Sequence, residues 1–220
     1  MSGGGHGAGQ WLHYCDSMRY FFGELERVYV EMRELKSGTV RTVQERPEDT
    51  IFATLTFKSG VTGVWAWSLA APGDSHSNVM FFGSEGSLED TTPSPYRIFH
   101  LFERRPDQRE AGKLVRSDGA TYSLDEVETM HLAARSDAER EALFPGGTED
   151  GFAIEIWDFL EVLRGNRARP EVDGWEGLRS LAIGEALYES AHSGQPVSVD
   201  DVFHGKIRTF QAPIDEHWGI

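Results

Sequence analysis

The chain begins with the stretch Gly3-Gly4-Gly5-His6-Gly7-Ala8-Gly9-Gln10-Trp11-Leu12-His13-Tyr14-Cys15-Asp16. Glycine adopts backbone conformations that other residues resist, so the first part of this stretch predicts a turn. Apolar residues then recur at helical spacing, at Trp11, Tyr14, Cys15, Met18, Phe21 and Phe22. The opposite face carries Gln10, His13, Asp16, Ser17 and Tyr20. The stretch therefore predicts a glycine-rich turn that enters an amphipathic helix, with His13 on its polar face.

The length and composition indicate a globular protein. A chain of 220 residues is long enough for a substantial core, and we expect one domain over residues 1–220. Hydrophobic residues make up 39% and aromatic residues 11%, which is not the composition of a disordered chain. The formal net charge is −15, from 21 Lys and Arg against 36 Asp and Glu. Such a charge repels phosphate backbones and anionic lipids, so neither nucleic acid nor a membrane is expected as a partner.

Cys15 is the only cysteine, which excludes an internal disulfide framework and a CxxC metal or redox site. This cysteine usage is typical of a reducing compartment, and we expect a cytoplasmic protein. The first residues lack a basic segment followed by an apolar one, and no apolar run has the length of a membrane helix. We therefore expect neither export nor membrane insertion.

The middle of the chain has the patterns of β-strands. Thr50 to Phe57 alternates apolar and other residues, and Val61 to Leu69 follows after the loop Lys58-Ser59-Gly60, which predicts a β-hairpin. Further strand predictions are Leu25 to Leu35, Asn78 to Phe82, Ser87 to Glu89, Tyr96 to Phe102 and Lys113 to Arg116. These patterns predict an α+β fold, with a large, mostly antiparallel open sheet of roughly six to nine strands and helices packed on one face.

The second half of the chain returns to helical patterns. Residues 121–147 are polar with weak periodicity, so they predict a long connection with one short helix at Ser136 to Leu143. Two further helices are predicted at Phe152 to Leu163 and from Trp175 to Ser193, the second with Asp173 as N-cap and Gly194 as its end. A closing edge strand is predicted at Gly205 to Gln211.

Several short motifs resemble one enzyme family when they are taken in order. After the glycine turn with His13 and Asp16 come Gly83-Ser84-Glu85-Gly86-Ser87-Leu88-Glu89, Phe159-Leu160-Glu161-Val162-Leu163-Arg164-Gly165, Gly177-Leu178-Arg179-Ser180-Leu181-Ala182-Ile183, Tyr188-Glu189-Ser190-Ala191 and Gln195-Pro196-Val197. No single motif is specific, but the order and spacing are. The chain resembles the C-terminal domain of the glucose-fructose oxidoreductase / inositol dehydrogenase (Gfo/Idh/MocA) family.

The resemblance implies the second half of a sugar or polyol dehydrogenase. In that family an N-terminal Rossmann domain holds NAD or NADP and a catalytic lysine, and the C-terminal domain contacts substrate and forms oligomers through its sheet. It implies catalytic roles for His13 and Asp16 and substrate contacts for Gln10, Tyr20 and His6. A separate Rossmann-domain partner is then expected, in a truncated or split enzyme, together with a homo-oligomer and a small sugar or polyol ligand.

Two departures from the family pattern bear on catalysis. The family often has an aspartate four residues before the helix histidine, where it orients the imidazole, and Gly9 occupies that position here. The lysine and the dinucleotide site have no counterpart. Gly3, Gly5 and Ala8 do spell GxGxxA, but that motif requires a preceding strand, and only Met1 and Ser2 precede it. We therefore expect that this chain alone binds no cofactor.

Other interpretations stay open at this stage. His6, His13 and Asp16 are residue types that hold zinc or iron, which keeps a metal-assisted lyase or hydrolase in view, as does cofactor-free acid/base chemistry at His13. A non-catalytic assembly or sugar-binding protein is a third reading. Trp65 and Trp67 are suited to stacking on a sugar, but on a half-buried sheet large aromatics more often belong to the core or an interface.

Overall fold

The computed structural model describes residues 7–33, 48–68, 70, 77–91 and 112–220, and the side chains from residue 11 onward within these ranges. The chain divides into two compact units, residues 1–72 with 172–220 and residues 73–171. The elements in chain order are α1 (Gly7–Phe22), β1 (Leu25–Arg33), β2 (Thr50–Phe57), β3 (Thr62–Ser68), β4 (Val79–Gly83), β5 (Gly86–Asp90), β6 (Gly112–Arg116), β7 (Thr121–Ser123), α2 (Leu124–Ala133), α3 (Asp137–Leu143), a 3-10 helix (Pro145–Gly147), α4 (Gly151–Leu163), α5 (Gly174–Ser193), β8 (Val197–Ser198), α6 (Val199–Phe203) and α7 (Ala212–Trp218).

The first unit is built on a four-stranded antiparallel sheet in the order β3-β2-β1-β8. Because successive side chains of a strand point to opposite faces, β2 buries Ile51, Ala53 and Leu55 on one face. The opposite face leaves Phe52 and Val64 56% and 80% exposed. Taken by itself, the sheet of this unit therefore has one covered face and one open face.

Helices α1 and α5 form the core together with the covered face of this sheet. Trp11 and Cys15 from α1, and Ile183 and Leu187 from α5, are all at most 2% exposed. They belong to one buried cluster with the inward side chains of the strands. Burial of this apolar surface is the main favourable term in folding and sets the position of α1.

The ends of α5 agree with the sequence-based prediction. The Asp173 carboxylate accepts hydrogen bonds from the backbone N–H groups of Trp175 and Glu176, as an N-cap does. Gly194 follows the helix in the left-handed conformation, with φ 65°. Glycine has no Cβ to oppose that conformation, so the helix ends there.

The second unit contains a four-stranded antiparallel sheet in the order β4-β5-β6-β7. Strands β4 and β5 form a tight hairpin in which Gly83 pairs with Gly86. A Cβ at Gly86 would collide with the backbone carbonyl oxygen of Val115 on β6. Only glycine therefore lets β5 and β6 approach so closely at this point. Helices α2, α3 and α4 follow this sheet along the chain.

The α+β class and the antiparallel strand arrangement are confirmed. The eight strands among the described residues form two sheets of four, where the sequence predicted one large sheet. Strand β2 has the predicted bounds, and the other strands that can be compared differ by a few residues at most. The predicted strand at Tyr96 to Phe102 lies outside the described residues. The single-domain expectation stays a prediction.

Two predictions for the second half of the chain were wrong. The short helix predicted at Ser136 to Leu143 is confirmed as α3, but the rest of residues 121–147 is not a long connection, because β7, α2 and a 3-10 helix occupy most of it. Their helices begin at capping boxes, Ser123 with Glu126 and Ser136 with Glu139, a local signal that outweighs weak apolar periodicity. The edge strand at Gly205 to Gln211 is absent, because this segment is a series of turns, and β8 forms the edge of the first sheet next to β1.

Candidate functional site

The candidate site lies on α1, which is fixed on its inner side by aromatic packing. Trp11 stacks on Tyr188 of α5 with ring centroids 5.4 Å apart. Its edge contacts Trp65 and Trp67 at 5.7 and 6.4 Å. Trp65 and Trp67 pack against the buried core. The sequence favoured this role over stacking on a sugar. The indole N–H of Trp11 is buried and has no hydrogen-bond partner among the described residues.

The outer side of α1 carries the predicted site residues. His13 and Tyr20 are both exposed, and Tyr20 is 84% exposed, with the Phe21 ring 5.4 Å away in a T-shaped arrangement. Gln10 lies in α1, one turn before His13, but its side chain is not described. His6 lies outside the described residues. The structure therefore brings His13 and Tyr20 to one solvent-facing side of a rigidly held helix.

Asp16 is engaged by α5. The hydroxyl Oγ of Ser180 donates to Asp16 Oδ1 over 2.8 Å. The guanidinium Nη1 of Arg19 lies 3.7 Å from the same oxygen. No hydrogen bond among the described residues joins Asp16 to His13. Asp16 thus connects α1 to α5, and its expected catalytic role stays a prediction.

Arg19 is the centre of a polar network that the sequence analysis did not identify. Its side chain is only 8% exposed, and Nη2 lies 2.8 Å from Glu24 Oε1 and 2.7 Å from Glu176 Oε2. Nη1 donates to Ser180 Oγ and to the Glu176 carbonyl oxygen at 2.9 and 3.1 Å. Burial opposes the guanidinium charge, but the hydrogen bonds to Glu24 and Glu176 outweigh it and raise the pKa of Arg19.

This polar network fixes the position of α1 against α5. Arg19 and Asp16 hold α1 against the N-terminal half of α5 while the aromatic contacts hold its inner side. The i,i+3 spacing of Asp16 and Arg19 was visible in the sequence. Their partners on α5 were not, because Glu176 and Ser180 are more than 150 residues away along the chain.

A second polar group lies further along α5. Glu189 is 2% exposed, and its carboxylate accepts hydrogen bonds from the backbone N–H groups of Phe210 and Gln211. Phe210 stacks on Tyr188 at 5.1 Å. Burial raises the pKa of Glu185, one helical turn before Glu189, and the carboxylates of Glu189 and Asp215 raise it further. Glu189 therefore fixes the turn that precedes α7.

Metal centres and dinucleotide sites each need an arrangement that the described residues do not contain. No group of three or more His, Cys, Asp and Glu side chains placed to bind a metal ion occurs in the described part of the chain, and His6 is not in that part. Both sheets there pair only antiparallel strands, whereas the pyrophosphate of a dinucleotide is bound at the turn of a parallel β-α-β unit. What the site offers is the exposed imidazole of His13, a side chain that general acid/base catalysis commonly uses.

The family comparison identifies the domain type. Residues 2–199 match the model for the oxidoreductase family, C-terminal alpha/beta domain, of the Gfo/Idh/MocA group. A comparison with curated proteins finds no match. Among the described residues, no helix has the length and apolar character needed to cross a membrane.

Solved structures with the same fold include several oxidoreductases. The WlbA dehydrogenase from Bordetella pertussis, in complex with NADH and UDP-GlcNAcA, is 22% identical with a TM-score of 0.56, and the match covers 89% of this chain and 45% of that one. A putative NADPH-dependent oxidoreductase from Desulfitobacterium hafniense is 16% identical with a TM-score of 0.61, and the match covers 91% of this chain and 50% of that one. The aldose-aldose oxidoreductase from Caulobacter crescentus, complexed with glycerol, is 19% identical with a TM-score of 0.56, and the match covers 86% of this chain and 45% of that one. The chain spans about half the length of these structures.

Proposed function

This chain belongs to the Gfo/Idh/MocA oxidoreductase family, to whose C-terminal domain it corresponds, and from that membership we propose that it is the substrate-binding half of an NAD(P)-dependent sugar or polyol oxidoreductase. The nucleotide-binding half is supplied by another segment or another chain. The cytoplasmic location expected from the single cysteine is part of the same proposal.

The observation that carries the proposal is the position of His13. It is exposed on the outer side of α1, while the same helix is fixed by Trp11 in the core and by Arg19 against α5. A general acid/base must be accessible to its substrate and carried on a fixed element; His13 is exposed, and the helix that carries it is fixed. In the proposed reaction His13 accepts the proton of the reacting hydroxyl. Tyr20 and Gln10, on the same side of the helix, contact the sugar.

Substrate classes in the related structures support a carbohydrate ligand. The Bordetella enzyme was crystallised with UDP-GlcNAcA and the Caulobacter enzyme is an aldose-aldose oxidoreductase. At 22% and 19% identity these proteins establish the fold alone. The sugar or polyol class of the substrate is therefore proposed from family membership and from the hydrogen-bonding character of the outer side of α1.

The activity test joins this chain to the nucleotide-binding half of the Bordetella relative and follows nicotinamide absorbance with a panel of sugars and polyols. His13→Ala should lower turnover by about 100-fold or more, the usual loss for a positioned acid/base group. The matched control is His204→Ala, another exposed histidine in the first unit, which should leave turnover unchanged. An active preparation indifferent to His13→Ala would refute the role of His13.

Gly9→Asp tests the departure from the family pattern. An aspartate four residues before His13 would lie one helical turn away and orient the imidazole. It should raise turnover only when the nucleotide-binding half is present, because it supplies no hydride acceptor. Calorimetry of this chain alone with millimolar NAD or NADP should give no saturable signal, since both described sheets are antiparallel.

We also propose that the open face of the first sheet forms a homo-oligomer. Register places Tyr29, Thr54 and Val64 side by side across this face, with Phe52 in the neighbouring row. Three of these four are exposed large side chains, and Val64 is 80% exposed. Sedimentation should show self-association at micromolar concentration that Phe52→Glu weakens. An unchanged mass distribution in Phe52→Glu would argue against this interface.

A further inference from the structure

Three aromatic rings from distant parts of the first unit form one ring stack: Trp11, Tyr188 and Phe210. Trp11 of α1 stacks on Tyr188 of α5 with ring centroids 5.4 Å apart and planes 25° from parallel. Phe210, in the turns before α7, stacks on the same tyrosine at 5.1 Å and 9°. Stacked pairs stabilise beyond the apolar area that they bury, and they favour one relative orientation of the rings. Tyr188 therefore links residue 210 to the helix that carries His13.

The other two members of the ring stack are themselves anchored. Tyr188 is 7% exposed, and its hydroxyl donates a hydrogen bond to Glu48 Oε1 over 2.6 Å. Phe210 is fixed through its backbone, because its N–H donates to the carboxylate of Glu189, the residue that follows Tyr188 on α5. Ring and backbone of Phe210 thus contact two consecutive residues of one helix. The base on which Trp11 stacks is held from both sides of the chain.

Trp11 depends on ring contacts for its orientation. Its indole N–H is buried and has no hydrogen-bond partner among the described residues. Trp65 and Trp67 meet the indole in T-shaped arrangements, with interplanar angles of 74° and 84°. Tyr188 is the ring that lies close to parallel with the indole plane. Loss of the ring stack would therefore free the indole to tilt, and no hydrogen bond at its N–H would oppose the tilt.

His13 lies between two kinds of attachment of α1 to α5. Three contacts along α1 meet α5 in reverse order, so the helices run antiparallel: Trp11 with Tyr188, Asp16 with Ser180, and Arg19 with Glu176. Of these three, only the ring contact lies on the N-terminal side of His13. At a rise of about 1.5 Å per residue, His13 is about 3 Å along the helix axis from Trp11 and about 4.5 Å from Asp16. Without the ring contact, His13 would lie beyond the last of the polar attachments.

We propose that Tyr188 and Phe210 are positioning residues that hold His13 in place through Trp11. The inference rests on the proposed acid/base role of His13 and extends it to two residues outside α1. Both act on the helix and not on the substrate, so neither is a catalytic residue. A misplacement of about 1 Å can cost an enzyme about 100-fold in rate. Loss of the ring stack while the polar attachments remain should lower kcat by about 10-fold.

NMR spectra of this chain alone test the link between Phe210 and α1 without any activity. In Phe210→Leu the signals of the Trp11 indole N–H and of the His13 ring should move, because leucine keeps apolar volume but cannot stack. Phe210→Tyr keeps the flat ring and should leave both signals close to their wild-type positions. The matched control is Phe203→Leu, which removes another partly buried ring that packs against the same core and should move neither signal. Trp11→Phe and His13→Gln assign the two signals.

Kinetics of the fusion with the nucleotide-binding half give the second measurement. Phe210→Leu should lower kcat by about 10-fold, and Phe210→Tyr should retain the wild-type value. The KM for NAD or NADP should not change, because the other half holds the nucleotide. A purely structural role would lower the yield of folded enzyme but not kcat per folded molecule. Phe210→Met, whose side chain is flexible and not flat, is the second variant if Phe210→Leu folds poorly.

The two measurements separate this inference from the proposed function. Unmoved Trp11 and His13 signals in Phe210→Leu would overturn the inference, as would equal movements in Phe203→Leu. An unchanged kcat of Phe210→Leu in an active fusion would also overturn it. A fusion indifferent to His13→Ala would instead refute the proposed role of His13, and the spectra would still decide whether Phe210 holds α1.

Discussion

Ser180 Oγ on α5 donates a hydrogen bond to Asp16 Oδ1 on α1 over 2.8 Å. The carboxylate one turn beyond His13 is therefore used to join two helices. Arg19 takes part in the same contact through Nη1, which lies 2.9 Å from Ser180 Oγ. Asp16 and Arg19 therefore fix, against α5, the helix whose outer side carries His13.

Arg19 should contribute measurably to stability. Arg19→Met leaves the carboxylates of Glu24 and Glu176 without their shared cation, and we expect a loss of about 2 kcal/mol of unfolding free energy. The loss is below that of a fully buried pair because both carboxylates are partly exposed, at 38% and 41%. Urea denaturation measures it. The control, Arg33→Met, breaks the exposed pair with Glu31 and should cost less than about 0.5 kcal/mol.

Cys15 should be inert toward thiol reagents in the folded chain. Burial raises the pKa of its thiol to about 12, and the neighbouring Asp16 carboxylate adds to the effect. At pH 8 only about one molecule in 10⁴ then carries the reactive thiolate. A chromogenic disulfide reagent should react with the wild-type chain only after urea is added. It should react at once with Ser117→Cys, because residue 117 is exposed in the turn between β6 and β7. Rapid labelling of native Cys15 would contradict the burial of α1.

Glu185 should make the fold less stable as pH rises. Its pKa is raised above the usual 4.5 by burial and by Glu189 and Asp215, so the folded state holds this proton more tightly than the unfolded state. The stabilisation is complete below about pH 4 and is lost as pH rises through the raised value. Glu185→Gln should therefore melt at a higher temperature than wild type at pH 7 and at a similar temperature at pH 4. Glu216→Gln, an exposed acid on α7, should show no such difference.

Glu189 should hold the C-terminal segment in place. Glu189→Ala removes the acceptor for the backbone N–H groups of Phe210 and Gln211 and leaves them unpaired, at a cost of about 2–3 kcal/mol. Hydrogen exchange of these two amides should accelerate strongly, while amides in β2 change little. Glu216→Ala is the matched acidic control. Unchanged exchange at Phe210 would show that stacking on Tyr188 alone fixes this turn.

Gly86 should resist substitution although it directly follows a hairpin turn. Gly86→Ala places a methyl group against the Val115 carbonyl, and the β5-β6 pairing must shift, which we expect to cost about 2 kcal/mol or more. Gly60→Ala is the control, because its Cβ would meet nothing within 4 Å and only its positive φ of 87° is strained. Thermal melting compares the two. Equal melting temperatures would count against the close strand contact.

Much of the fold was determined locally and could be predicted from the sequence. Strand β2 follows from two-residue alternation, α1 from apolar spacing, and the ends of α5 from Asp173 and Gly194. These signals act between residues close together in the chain, so no tertiary contact is needed to interpret them. The edge strand predicted at Gly205 to Gln211 was wrong because its turns are fixed by Glu189, a residue about twenty positions earlier that the local pattern does not include.

For the candidate site as well, some features could be predicted from the sequence and others could not. The sequence by itself placed His13 on the polar side of an amphipathic helix and indicated the family. Only the tertiary structure decided that Asp16 is engaged by Ser180 across 164 residues and that Arg19 joins two helices. Periodicity shows that a helix has an apolar side but not what that side meets, because the partner is chosen by packing between elements that are distant in the chain.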